Sequence, residues 1–304
     1  MIINTGGRTD TVHYYSDWLL KRFEEGYVLV RNPLFPNKVS HYELTPDKVD
    51  CVVFCSKNYR PILKGLHNIT DRFNTYFHYT ITAYEKDIEP TAPKIEKSIE
   101  TLQQLSAQVG KQRIAWRYDP VLLTEKYTVE YHLATFEKMA KAITPYVDRC
   151  IFSFVEMYKK LDANMPEIIL LREKDKQRLA KGFGETVRRY GLYLQTCATE
   201  GDFSIYGIHA SGCMTLDMLG RANDVAFKTL KHSGSRQHCG CIETRDIGAY
   251  DSCPTGCKYC YANKSPTKAR EMHKLHDPNW PLLIGHLNTT DVVTHSNQKS
   301  LGLT

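Results

Sequence analysis

Five of the ten cysteines in this chain fall between residues 239 and 260. The sharpest arrangement is Cys253-Pro-Thr-Gly-Cys257-Lys-Tyr-Cys260, a C-x3-C-x2-C run. Thiolates on a short loop of this kind hold iron–sulfur clusters, because backbone N–H groups nearby can also bond the sulfides. Gly256 supplies the conformational freedom for the turn that lets three sulfurs converge. Three thiolates on a [4Fe-4S] cluster leave one iron open to a substrate or cofactor. A second ligand-like pair is Cys239-Gly-Cys241, and Cys197 and Cys213 sit upstream of it. These four thiols would complete a second site, either an auxiliary [4Fe-4S] cluster or a structural zinc. In a third arrangement Cys239 or Cys241 is a fourth ligand of the first cluster and closes its open iron. Cys51, Cys55 and Cys150 lie in apolar stretches and read as small buried hydrophobes.

The rest of the composition narrows the class. At 304 residues and 42% hydrophobic content the chain can bury a large core, as one large α/β domain or two small ones. Forty Lys and Arg against 34 Asp and Glu leave a formal charge of +6, with the basic residues scattered and not blocked. No basic stripe with interleaved aromatics argues for nucleic acid. No apolar run approaches the length of a spanning helix, so no membrane partner is expected. The start, Met1 to Arg8, shows no basic segment followed by an apolar one, so no signal peptide is expected. Ten cysteines without a secretory leader read as reduced thiols in the cytoplasm. There is no zinc-protease helix motif, nucleophile elbow or phosphate loop.

The elements that must position these thiols alternate along the first two hundred residues. Strands are predicted at Ile2–Thr5, Tyr27–Arg31, Cys51–Ser56, Tyr76–Thr82, Arg113–Tyr118, Cys150–Val155 and Leu192–Cys197, all rich in Val, Ile, Phe and Tyr. One helix carries the stripe Tyr15, Trp18, Leu19 and Phe23 and ends at Gly26. Another carries Ile95, Ile99, Leu102, Leu105 and Val109, with Gly110 after it. A third carries Val129, Leu133, Phe136, Met139 and Ile143 behind Thr128 as N-cap. Glu167 to Tyr190 is a long charged segment with Leu179, Phe183 and Val187 four apart, although Gly182 and Gly184 weaken it as a helix. A short helix is predicted around Leu216–Gly220. Strands alternating with helices imply parallel βαβ units, and six or more without a phosphate loop favour a parallel (β/α) barrel of TIM or partial-TIM type. Residues 1–198 would form the barrel body, and residues 199–304 a cysteine-rich segment packed on it and closing it.

In such a barrel the functional groups gather after the strand C-termini. Arg8, Arg31, Lys57, Thr82, Glu89 and Arg117 all fall there. The cysteine run, followed by Tyr261, resembles the signature of the radical S-adenosylmethionine enzymes, particularly the spore photoproduct lyase group. Thr80-Ile-Thr82 with Glu89-Pro90 and Trp116-Arg117-Tyr118-Asp119-Pro120 look like barrel strands of that group. The whole chain is similar to a bacterial family of unassigned function that ends in Cys-Gly-Cys, Asp-Ile-Gly-Ala-Tyr and Cys-x3-Cys-x2-Cys-Tyr-Ala-Asn. Here these are Cys239–Cys241, Asp246–Tyr250 and Cys253–Asn263.

The resemblance implies a radical enzyme. Cys253, Cys257 and Cys260 would hold the [4Fe-4S] cluster that cleaves S-adenosylmethionine, and Cys197, Cys213, Cys239 and Cys241 would hold an auxiliary cluster. Arg8, Arg31, Lys57, Thr82 and Tyr261 would contact the cofactor, and Glu89 and Arg117 would act on the substrate, a small molecule or a nucleic acid. A flavodoxin or ferredoxin would supply the electron. The three-cysteine loop comes last in this chain, so a circular permutation is implied, with Asp246–Tyr250 as the strand that ordinarily comes first. The alternative function is a non-catalytic metal protein on a barrel scaffold, holding zinc or an electron-transfer or redox-sensing cluster.

Overall fold

Residues 51–56, Cys-Val-Val-Phe-Cys-Ser, are apolar on both faces, which suits a strand covered on both sides. In the computed structural model they form a central strand of a parallel sheet. The structure describes residues 1–229, 238–297 and 299–302. The first half of the chain gives β1 (Ile2–Asn4), α1 (Thr11–Tyr14), α2 (Ser16–Glu25), β2 (Tyr27–Arg31), β3 (Lys38–Glu43), β4 (Cys51–Ser56), α3 (His67–Thr70) and β5 (Thr75–Thr80). Then come α4 (Ile95–Val109), β6 (Ile114–Val121), α5 (Val129–Ile143), β7 (Arg149–Phe154), α6 (Lys159–Asn164), α7 (Glu173–Tyr190) and β8 (Tyr193–Thr196). The remainder supplies β9 (His209–Ala210), α8 (Leu216–Asn223), β10 (Arg245–Asp246), α9 (Pro266–His273) and β11 (Val292–His295).

The fold is mixed α/β. Eight strands form one sheet in the order β10-β1-β4-β5-β6-β7-β8-β9, with every described pair parallel. The two edge strands, β10 and β9, are not paired with each other in the described ladders. The strand expected at Asp246–Tyr250 is shorter and earlier than predicted: Arg245 and Asp246 alone pair with β1. A second correction concerns Tyr27–Arg31. It is a strand, but β2 pairs antiparallel with β3 in a separate three-stranded sheet, β11-β3-β2, and not in the eight-stranded sheet. The Glu167–Tyr190 segment is helical only from Glu173.

Alternation along the strands divides the core in two. Val52, Phe54, Phe77, Tyr79, Trp116, Tyr118, Phe152 and Leu194 point to the face covered by the helices. There Trp116 stacks on Phe136 of α5 at 5.0 Å, and Phe136 on Phe183 of α7 at 4.2 Å. Ile2, Cys51, Val53, Tyr76, Ala115 and Ile151 point to the opposite, inner face, where α8 covers them with Met218, Leu219 and Ala222. The helix ends follow their sequence signals: Thr128 caps α5 by accepting from the Tyr131 N–H, and α2 stops at Gly26 in the left-handed region. Among the described residues no helix is long and apolar enough to cross a membrane.

Candidate metal centre

Three thiols meet on the inner face. Cys197 follows β8, Cys213 follows β9, and Cys241 precedes β10. The Cys213 and Cys241 sulfurs are 3.4 Å apart and those of Cys197 and Cys241 3.9 Å apart. All three lie within 4.8 Å of one another, and each residue is at most 6% exposed. Sulfurs about 2.3 Å from one tetrahedral ion stand about 3.8 Å from each other, which is the separation found here. In a four-iron cluster each thiolate takes a different iron, so its sulfurs stand farther apart than the ligands of a single ion.

Two glycines permit this convergence. A Cβ on Gly212 would sit 2.4 Å from the Gly240 carbonyl oxygen and 2.8 Å from the Cys241 nitrogen. Only a residue without a side chain lets the strand end carrying Cys213 pass so close to the segment carrying Cys241. The Ile242 N–H donates to the Met214 carbonyl at 3.0 Å, and the Gln195 amide donates to the Gly212 carbonyl at 3.1 Å, locking the approach. Gly212→Ala should therefore separate the sulfurs and weaken metal binding by roughly 10–100-fold, the cost typical of disturbing the support of a metal site. Competition with a chromophoric chelator measures this, and an unchanged affinity would show that the contact does not set the sulfur geometry.

The three thiols also share protons unequally. Hydrogen bonds from Cys213 and then Cys241 hold the Cys197 thiol down to about 2, while Cys213 is pushed well above the ordinary thiol range by its contacts with Cys197 and Cys241 and by burial. The three thiols are coupled through their mutual contacts, and a bound ion would displace their protons.

Around the trio the inner face is polar. Cys55 on β4 and His78 on β5 are register partners, with the Cys55 sulfur 3.6 Å from His78 Nδ1 and 3.8 Å from Asn4 Oδ1. His78 is fully buried, and its Nε2 has no hydrogen-bond partner among the described residues. Burial, followed by the Arg117 cation, pushes its imidazole down to about 3, so the ring is neutral. Arg117 donates to Asp119, which also accepts from the Ser153 hydroxyl. Burial opposes its charge, yet Asp119, Cys213, Cys55 and Cys197 together hold Arg117 well above the usual guanidinium range.

The Cys253–Cys260 loop lies elsewhere, over the C-terminal ends of β5 and β7. Tyr158 donates to the Tyr259 carbonyl at 2.6 Å, Lys160 to the Cys260 carbonyl at 2.7 Å, and Thr91 to the Thr255 carbonyl at 3.2 Å. The Lys258 N–H reaches the Ile88 carbonyl at 3.1 Å. Gly256 has the expected positive φ, 75°. The three residues are half-buried, and their sulfurs do not all come within 4.8 Å of one another. Burial pushes the Cys253 thiol up to about 11.

Beside Cys257 stands a carboxylate hub. Glu89, whose side chain is 3% exposed, accepts from Lys57 Nζ at 2.9 Å, from the Thr82 hydroxyl at 2.7 Å and from the Tyr259 hydroxyl. Burial works against the Lys57 ammonium, but Glu89 and then Cys257 outweigh it and raise its affinity for the proton.

The structure thus brings Lys57, Thr82 and Glu89 together at the Cys257 loop, and Arg117 to the inner-face thiols instead. Arg8 stands 3.9 Å from the Asp246 carboxylate and 5.5 Å from the Tyr250 ring centre, and Tyr261 is exposed with its hydroxyl donating to the Gly7 carbonyl. Arg31 is in neither place. It lies in the small sheet, paired with Asp291 at 2.5 Å and donating to the His286 carbonyl at 3.2 Å. Cys239 stays outside the three-sulfur group, which Cys241 joins. Cys51 and Cys150 are fully buried as expected, but Cys55 is only partly buried, with polar neighbours. All ten cysteines are free thiols. His78, Asn4 and Gly212 were not singled out from the sequence. The one signal for the last was the repeated Gly-Cys step at 212–213 and 240–241.

A family model described as "Domain of unknown function (DUF1848)" matches residues 2–262, which take in the entire eight-stranded sheet and both cysteine groups. No curated protein matches the chain.

Proposed function

The chain belongs to the DUF1848 family, and we propose that it is a metal protein in which Cys197, Cys213 and Cys241 hold a single zinc ion. The observation that carries this is the group of three buried sulfurs at the spacing of one tetrahedral shell. Softness supports it too, since thiolate-rich tetrahedral sites select zinc or iron–sulfur, and the close spacing favours the single ion. Zinc with three thiolates carries one net negative charge, which the half-buried Arg117 offsets. The role is structural. Cys197 and Cys213 come from the β8–β9 edge of the sheet and Cys241 from the β10 side, so the ion staples the two edges and closes the sheet toward a barrel.

A second reading has its own observation. The Cys253, Cys257 and Cys260 sulfurs are spread more widely, at the C-terminal end of the strands where parallel barrels carry their sites. This supports a [4Fe-4S] cluster there, in a permuted barrel with β10 seated beside β1. Such a cluster would supply one-electron chemistry, in redox sensing or in cleaving S-adenosylmethionine with a ferredoxin-type donor. The chain's own part is to fix the loop through Tyr158, Lys160 and Thr91, and to place the Lys57–Glu89 pair with Thr82 beside Cys257.

Metal and sulfide analysis after strictly anaerobic purification tests both. One zinc per chain should vanish when Cys197, Cys213 and Cys241 are changed to Ser and persist when Cys253, Cys257 and Cys260 are. Iron and sulfide, where present, should follow the second trio. Zinc absent from the unaltered protein, or iron and sulfide following the first trio, would overturn the zinc assignment.

A further inference from the structure

We infer that His78 is the fourth ligand of the Cys197–Cys213–Cys241 ion, with Cys55 orienting it; this rests on the zinc reading above. A structural zinc takes four protein ligands, and three sulfurs are in place. Of the groups nearby, Cys239 is closest in sequence, but it is partly exposed and outside the sulfur group. His78 is fully buried on the inner face of β5, and its Nε2 is an orphaned polar atom among the described residues. A buried nitrogen without a partner is destabilising, and coordination would satisfy it. The ring is near enough to Cys197 and to the Cys213 backbone for both to act on it. Its other nitrogen, Nδ1, faces the Cys55 sulfur at 3.6 Å, and that sulfur faces Asn4 Oδ1 at 3.8 Å. Metal-bound imidazoles carry this arrangement, one nitrogen on the ion and the other held by a neighbour that fixes tautomer and orientation. His78 lies outside the group of sulfurs mutually within 4.8 Å, so the proposal requires Nε2 to draw closer to them when the ion binds.

Cobalt(II) in place of zinc in the full chain reads the ligand set directly. Its visible bands move to lower energy as a nitrogen is exchanged for a fourth thiolate, and its near-ultraviolet charge-transfer intensity grows with the number of thiolates. The unaltered protein should show a three-sulfur, one-nitrogen spectrum that Cys239→Ser leaves unchanged. His78→Ala should change it and lower cobalt affinity by at least about 100-fold, and Cys55→Ala should lower affinity by roughly 10–100-fold. If His78→Ala does not fold, His78→Cys serves: it should shift the bands to the four-thiolate pattern. A four-thiolate spectrum in the unaltered protein that Cys239→Ser destroys would overturn the role of His78 and leave the zinc reading standing. So would an unchanged spectrum in His78→Cys. No cobalt bound through Cys197, Cys213 and Cys241 would overturn both.

Discussion

Cys213→Ser is expected to lower zinc affinity by about two orders of magnitude or more. Structural zinc sites bind with about 10–16 kcal/mol, so one of four ligands accounts for about 3 kcal/mol, or about a hundredfold. Cys213 is the thiol for which the loss should be most complete. Its sulfur is 3.4 Å from that of Cys241, and its backbone is held against Gly240 by the Gly212 contact. A serine hydroxyl in its place is a harder, protonated oxygen that no longer matches the site. The effect reaches stability by mass action: an ion at a hundred times its dissociation constant contributes about 2.7 kcal/mol, which the variant forfeits. Urea unfolding of the unaltered chain should therefore depend on added zinc, and that of Cys213→Ser should not. Cys239→Ser should keep the dependence, which separates loss of a ligand from loss of any thiol in the region.

The second large effect belongs to the carboxylate hub. Glu89→Ala removes the carboxylate that pairs with Lys57, whose side chain is 13% exposed. Removing one partner of a buried pair costs about 3–5 kcal/mol, because the charge left behind is desolvated and unpaired. The Thr82 and Tyr259 hydroxyls lose their acceptor as well. Combining Glu89→Gln with Lys57→Met should recover most of this stability, since the amide oxygen still accepts from both hydroxyls and no buried charge remains. Urea midpoints for the single and double variants measure it. A Glu89→Ala cost below about 1 kcal/mol would mean that the pair is solvated and contributes little.

The main sheet was legible because its strands are buried on both faces. Cys51–Ser56 is mostly apolar and buried at all but one position, Arg149–Phe154 is buried at every one, and the helices between such strands carry full stripes with readable ends, as at Thr128. The small sheet was not. Tyr27–Arg31 has the same apolar composition as a barrel strand, and its partner Lys38–Glu43 buries only Val39. Val292–His295 is exposed at every position, so nothing in its side chains announces pairing. β9 and β10 have two residues each and are defined by backbone hydrogen bonds alone. The candidate site divides in the same way. The thiols themselves stand out, but the grouping of Cys197 with Cys213 and Cys241 is made by β8, β9 and β10 arriving at one place, which linear spacing does not encode. Proximity in sequence favoured Cys239, while the fold brings His78 to the inner face from a strand more than a hundred residues upstream.

X-ray absorption at the zinc edge of the anaerobically purified protein examines the central claim most directly. The account predicts a single ion with three sulfurs at about 2.3 Å and one nitrogen at about 2.0–2.1 Å, with no neighbouring metal. Zinc bound through oxygen and nitrogen alone, or an iron edge with a metal–metal shell that depends on Cys197, Cys213 and Cys241, would contradict it.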